Sequence, residues 1–86
     1  MSRKTVQRIK RHLIKGEFRY SIHSLRMAYD RVVTDGDIRK VGRTAHTARL
    51  QSNGSYKIVG FDEQGMELTV VCRLLMQNGV LIITVF

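Results

Sequence analysis

In the stretch FRYSIHSLRMAYDRV, residues 18–32, a histidine and an arginine stand one position off an apolar helical line. Imidazole changes charge near neutral pH, so His23 can in principle move a proton. Arg26 can hold an anion, and Asp30, four residues on, can pair with it across one helical turn. The other groups able to do chemistry lie toward the C-terminus. Arg49 and Lys57 flank an SNG turn, Tyr56 adjoins Lys57, Arg73 interrupts an apolar run, and Thr84 sits close to the end. Burying an unpaired arginine is costly, so Arg73 must reach a carboxylate, an open sheet face or a ligand. The plainer expectation for Arg73 is a solvent-facing strand residue, or a pair with Glu67. For His23 it is a capping or packing histidine bonded to a backbone carbonyl. A chemical role for His23 requires it to be open to solvent and close to Arg26, Arg31 or Arg73.

Most constellations that signal an enzyme class are missing. The chain has no GxGxxG, Walker loop, HExxH, CxxC or GxSxG. His12, His23 and His46 lack metal-ligand spacing with one another or with Cys72, so neither a metal nor a cofactor is expected. Acidic residues are few and sit mostly at turns, which argues against a two-metal nuclease. Cys72 is the sole cysteine, so no disulfide can form within the chain, and its apolar surroundings mark it as a buried thiol.

Charge is the strongest compositional signal. The 86 residues carry a net charge of +8, and it is unevenly spread. Residues 1–49 hold 13 Lys/Arg against 4 Asp/Glu, whereas residues 50–86 hold 2 against 3. Such asymmetry points to a polyanion, most often nucleic acid, with a merely solubilising basic surface as the plainer alternative. No apolar run is long enough to cross a membrane, and the basic N-terminus lacks the apolar core of a signal peptide, so a cytoplasmic protein is expected.

The elements that must position these groups are readable from spacing. In SRKTVQRIKRHLIKG, Ser2 can cap a helix and Gly16 can end it. Val6, Ile9 and Leu13 share one side, and Lys4, Arg8, Arg11 and Lys15 form a basic stripe nearly opposite. The alternation in EFRYS suits a short strand or an extended lead-in. Ser21 then opens a second helix whose line Ile22, Leu25, Tyr29, Val32 reads as its core face. Thr34 with Asp37 is a capping-box-like signal for a short third helix, which Gly42 is expected to stop. From residue 43 the period is two: RTAHTARLQ, SYKIVGF, MELTVVCRLLM and VLIITVF, joined by SNG, DEQG and QNG turns. The expectation is a single α+β domain over residues 1–86, with two to three N-terminal helices packed on a four-stranded antiparallel meander. The last run is apolar on both faces and should be covered on both or lie centrally in the sheet.

Ser21, His23, Met27, Arg31, Thr34, Asp37, Ile38 and the final ITVF resemble the pattern of a family of small bacterial domains similar to RelE-, BrnT- and MqsR-like type II toxins. VQRIKRHLIKGEFRYSIHSL and GVLIITVF carry the MqsR-like part of the likeness. The resemblance is diffuse and spans nearly the whole chain. It implies a RelE-like fold and metal-independent cleavage of mRNA, on or off the ribosome, by a toxin that a cognate antitoxin covers. In that chemistry the ribose 2′-hydroxyl attacks the adjacent phosphate while side chains exchange the protons and hold the charge. Under this likeness His23 and Tyr56 are the acid–base candidates, and Arg73 completes the catalytic set. Lys4, Arg8, Arg11, Lys15, Arg26, Arg31, Arg49 and Lys57 would bind RNA. The alternative is a non-catalytic basic module that binds RNA or regulates through the same surface.

Overall fold

The computed structural model describes residues 3–86. Helix α1 (Arg3–Lys15) turns Ile9 and Leu13, both completely buried, and the partly buried Val6 to the core. Lys4, Arg8, Arg11 and Lys15 stay exposed. The expected cap Ser2 lies outside the described residues. Gly16 ends the helix at φ +77°, which lets the Glu17 N–H donate back to the His12 carbonyl at 2.8 Å.

The strand elements form one sheet. β1 is Phe18–Tyr20, β2 Thr47–Leu50, β3 Tyr56–Phe61, β4 Glu67–Leu74 and β5 Val80–Val85, in the order β1-β5-β4-β3-β2. β2 to β5 pair antiparallel with their chain neighbours, as the turns led us to expect. The sheet is not a four-stranded antiparallel meander, however. β1 adds a fifth strand, parallel to β5, with Phe18 opposite Val80 and Tyr20 opposite Ile82. The physical reason is edge cover: without β1 the apolar β5 would present an open row of backbone groups.

Helix α3 (Asp35–Thr44) starts with both arms of the Thr34/Asp37 capping box in place. Gly42 does not stop it. The helix runs two residues further, into text expected to begin a strand, and Gly42 is buried where α1 crosses. A Cβ there would stand 2.9 Å from the Leu13 Cβ, so the missing side chain sets the close approach of the two helices. Gly60 plays the same part between α3 and β3, where a Cβ would lie 2.7 Å from the Val41 carbonyl oxygen. All three helices join one buried cluster with the sheet residues Tyr56, Ile58, Leu68, Val70, Cys72, Val80, Ile82 and Val85.

Helix α2 (Ile22–Arg31) overturns the expected core face. Ile22, Leu25, Tyr29 and Val32 are 84%, 57%, 85% and 79% exposed. The helix instead buries Ser24 and Ala28, with Met27 partly covered. The cause lies in β5, which outruns the three-residue β1 and leaves carbonyls that need donors. The Ser21 N–H and the Ser24 hydroxyl both donate to the Ile82 carbonyl, at 2.9 and 2.7 Å, and the Ser21 hydroxyl donates to the Ile83 carbonyl at 3.2 Å. A small polar face docks here because a large apolar one could not satisfy those acceptors. Among the described residues no helix is long and apolar enough to cross a membrane.

Candidate nucleic-acid interface

Successive residues of a strand point to opposite sides, so the sheet has a helix-covered face and a second face. Arg49 lies opposite Lys57, and Lys57 opposite Val71. Arg73, two residues beyond Val71, lies opposite Leu81, which in turn lies opposite Arg19. Four cations from four strands thus share the second face: Arg19, Arg49, Lys57 and Arg73. Like charges directly opposite one another cost some tenths of a kcal/mol, so Arg49 facing Lys57 is a destabilising choice unless an anion joins them.

Aromatic groups border the cations. Phe86 exchanges both backbone hydrogen bonds with Thr69, at 2.8 and 3.0 Å, which places its half-exposed ring on the same face. Lys57 Nζ stands over that ring. Phe61 lies opposite Glu67 at the far end, with the His46 ring 5.3 Å from its own.

The carboxylates of Glu67, Asp62 and Asp35 are committed elsewhere. Glu67 pairs with His46 Nε2 at 3.3 Å, so the Arg73–Glu67 pair named as one expectation does not form. Arg73 Nη2 instead donates to the Asn53 carbonyl at 3.1 Å, in the turn between β2 and β3. Asp62 accepts turn N–H groups from Gln64 and Met66, and Asp35 accepts from the Tyr20 hydroxyl at 2.7 Å. Burial, reinforced by the Asp35 carboxylate, keeps the Tyr20 phenol protonated. Among the described residues the carboxylate–cation contacts are the two histidine contacts His12–Glu17 and His46–Glu67, and neither takes a cation of the second face.

The structure separates the remaining candidates. Tyr56 is buried on the helix-covered side, in register with Cys72, so it does not join Lys57 and Arg73. Lys4, Arg8, Arg11 and Lys15 line the outer side of α1, on the helical layer. His23, Arg26 and Arg31 are exposed on α2. His23 bonds to no carbonyl, contrary to the packing role considered for it: the helix start is fixed by Ser21, whose hydroxyl accepts the Ser24 N–H at 3.0 Å. Arg26 and Asp30 form no ion pair, also contrary to expectation. Cys72 is buried, which pushes its thiol pKa up to about 12 and leaves it a poor nucleophile. Among the described residues no three His, Cys, Asp or Glu side chains gather as a metal site.

Sequence reasoning missed Arg19, Phe61 and Phe86. Arg19 alternates with Phe18 and Tyr20, so its side was readable, but its place beside Leu81 depended on a parallel pairing that no turn announces. No protein-family model, curated protein or solved structure matches the chain.

Proposed function

We propose that this chain is an RNA-binding domain that takes a single strand across the second face of its sheet. The observation that carries this reading is the grouping of Arg19, Arg49, Lys57 and Arg73 on one face, with no ion-pair partner among the described residues, beside the exposed Phe86 ring. Cations that track a backbone and aromatic rings on which bases stack are the two parts of a single-strand site. The likeness to RNA-cleaving toxins favours RNA over DNA. The four cations offer up to four phosphate contacts, so the logarithm of affinity should fall with log salt at a slope of about 3.

A second reading, a toxin-like metal-independent mRNA endoribonuclease held in check by a cognate antitoxin, has one observation in its favour. His23 is exposed and unbonded on the same helix as Arg26 and Arg31. Cleavage would then occur at α2 rather than on the sheet, because Tyr56 is in the core.

One titration separates the readings. A labelled RNA of about 12 nucleotides, a length that one small single-strand site can fill, is followed by anisotropy across salt and then run on a denaturing gel. Salt-steep binding that Lys57→Ala and Arg73→Ala weaken, with intact RNA, is the expected result. Cleavage abolished by His23→Ala would move the conclusion to the nuclease. Absence of binding at low salt would defeat both.

A further inference from the structure

Helix α2 carries its largest apolar side chains on the side turned away from the core. Ile22, Leu25, Tyr29 and Val32 together expose on the order of 500 Å² of mostly apolar surface, at the upper end for the largest patch of an ordinary monomer. Among the described residues none buries this stripe, since Ser24, Ala28 and Met27 do the packing. A face this apolar on a chain with a net charge of +8 calls for a protein partner, because apolar burial is what its contacts can supply.

The spacing of the stripe is symmetric. Steps of three, four and three residues run from Ile22 to Val32, the left-handed cap that closes α2, so reversal about residue 27 exchanges Leu25 with Tyr29 on the helix and Ile22 at its start with Val32 at its cap. In an antiparallel pair Ile22 meets Val32 of the second copy and Leu25 meets its Tyr29. The charged flank obeys the same symmetry. Arg26 and Asp30 lie one turn apart on one side of the stripe and make no ion pair among the described residues. Reversal brings each Arg26 within about 3 Å along the axis of the other copy's Asp30, at 1.5 Å of rise per residue. A two-fold interface requires such self-complementarity, and the reciprocal placing of Arg26 and Asp30 beside the stripe supplies it for a second copy of this chain.

We infer that the chain forms a two-fold symmetric dimer through antiparallel packing of α2 on α2, with the Ile22–Leu25–Tyr29–Val32 stripe as its apolar centre and reciprocal Arg26–Asp30 pairs along its flank. Two stripes bury on the order of 1,000 Å², near the lower limit for a specific interface, so the dimer is a weak one that dilution dissociates. Repulsion between the two basic bodies is limited by screening, which acts over about 8 Å at physiological salt. The inference is independent of what binds the sheet.

The test is sedimentation velocity of the full chain over about 1 to 200 µM, the range in which a weak interface of this size dissociates. The expected result is a reversible shift from the 9.9 kDa monomer to twice that mass. Tyr29→Glu should lower the association constant at least a hundredfold while leaving thermal unfolding at low concentration unchanged, since Tyr29 is exposed. Arg26→Asp and Asp30→Arg should each weaken association about tenfold, and the two together should restore it to within about threefold. A parent that stays monomeric throughout, or forms polydisperse aggregates, overturns the inference. So does a dimer that survives Tyr29→Glu, and so does a charge reversal that the combined variant fails to repair.

Discussion

Lys57 Nζ stands 5.6 Å from the centre of the Phe86 ring, over its face. At a partly exposed site such a contact is worth about 0.5–1 kcal/mol, too little to explain why the half-exposed Phe86 ring is left on the sheet. Each is better placed for a ligand, the ammonium for a phosphate and the ring for a base. Phe86→Ala should weaken single-stranded RNA binding by about 1–3 kcal/mol with the salt slope unchanged, because stacking releases no counterions. Lys57→Ala should lower the slope by about 0.7, the loss of one phosphate contact. Anisotropy titrations at several salt concentrations read both. Equal slopes for parent and Lys57→Ala would remove Lys57 from the site.

Asp37 ties the start of α3 to the turn between β3 and β4. One carboxylate oxygen accepts the Thr34 N–H at 2.9 Å and the Thr34 hydroxyl at 3.2 Å, and the other accepts the Glu63 N–H at 2.9 Å. Burial alone would raise the carboxyl pKa, but these hydrogen bonds outweigh it and hold the pKa below the ordinary value. A pKa depressed on folding contributes stability above the unfolded value of about 4, and that contribution is lost as pH falls through the folded value. Asp37→Asn should therefore cost about 1–2 kcal/mol at neutral pH and leave a shallower loss of stability below about pH 4. Urea unfolding at a series of pH values measures both, and superimposable pH slopes for the two proteins would show that Asp37 contributes nothing to acid sensitivity.

Local chemistry made the Thr34–Asp37 box, the Gly16 helix end and the SNG, DEQG and QNG turns legible, because each is decided within a few residues. Elements whose faces depend on remote partners were not. Ile22, Leu25, Tyr29 and Val32 have the periodicity of a core stripe, yet the face that packs was chosen by the unpaired Ile82 and Ile83 carbonyls, about 60 residues away. Tyr56 adjoins Lys57 in the chain and lies on the opposite side of the sheet, as strand alternation dictates once the strand is granted. The site was half legible for the same reason. Arg49, Lys57 and Arg73 could be selected by charge, whereas Arg19 joined them only through a parallel pairing of distant segments.

The two close approaches at glycine should differ in cost. At Gly60 an added methyl group meets the Val41 carbonyl oxygen at 2.7 Å, a backbone atom in the last turn of α3. At Gly42 it meets side-chain atoms of Leu13 and Ile14 at 2.9 and 3.1 Å, but also the Ile14 backbone nitrogen at 3.1 Å. Overpacking of this kind costs about 1–3 kcal/mol, and Gly60→Ala should fall at the upper end. Gly42→Ala gains helix propensity of up to about 1 kcal/mol, which offsets part of its clash. Thermal unfolding of both variants should rank them in that order. A Gly60→Ala protein as stable as the parent would mean that α3 can lift from β3 at little cost.

Val32 occupies a position that helices usually give to glycine. It ends α2 at φ 57°, ψ 45°, and its neighbour Val33 donates to the Ala28 carbonyl at 2.8 Å, closing the helix as a left-handed cap. A β-branched residue is strained there, by roughly 1–2 kcal/mol relative to glycine before the greater chain entropy of glycine is counted. Its side chain is exposed, so little packing is lost on removing it. Val32→Gly should therefore stabilise the monomer by about 1 kcal/mol, which raises the melting temperature by roughly 4–8 °C in a domain of this size. Val32→Ala is the control, since it trims the same exposed methyl groups and keeps a Cβ at positive φ. Measured at concentrations where the chain is monomeric, a rise for glycine without a comparable rise for alanine assigns the gain to the backbone. Equal rises would assign it to the exposed side chain instead, and leave the left-handed cap without a measurable cost.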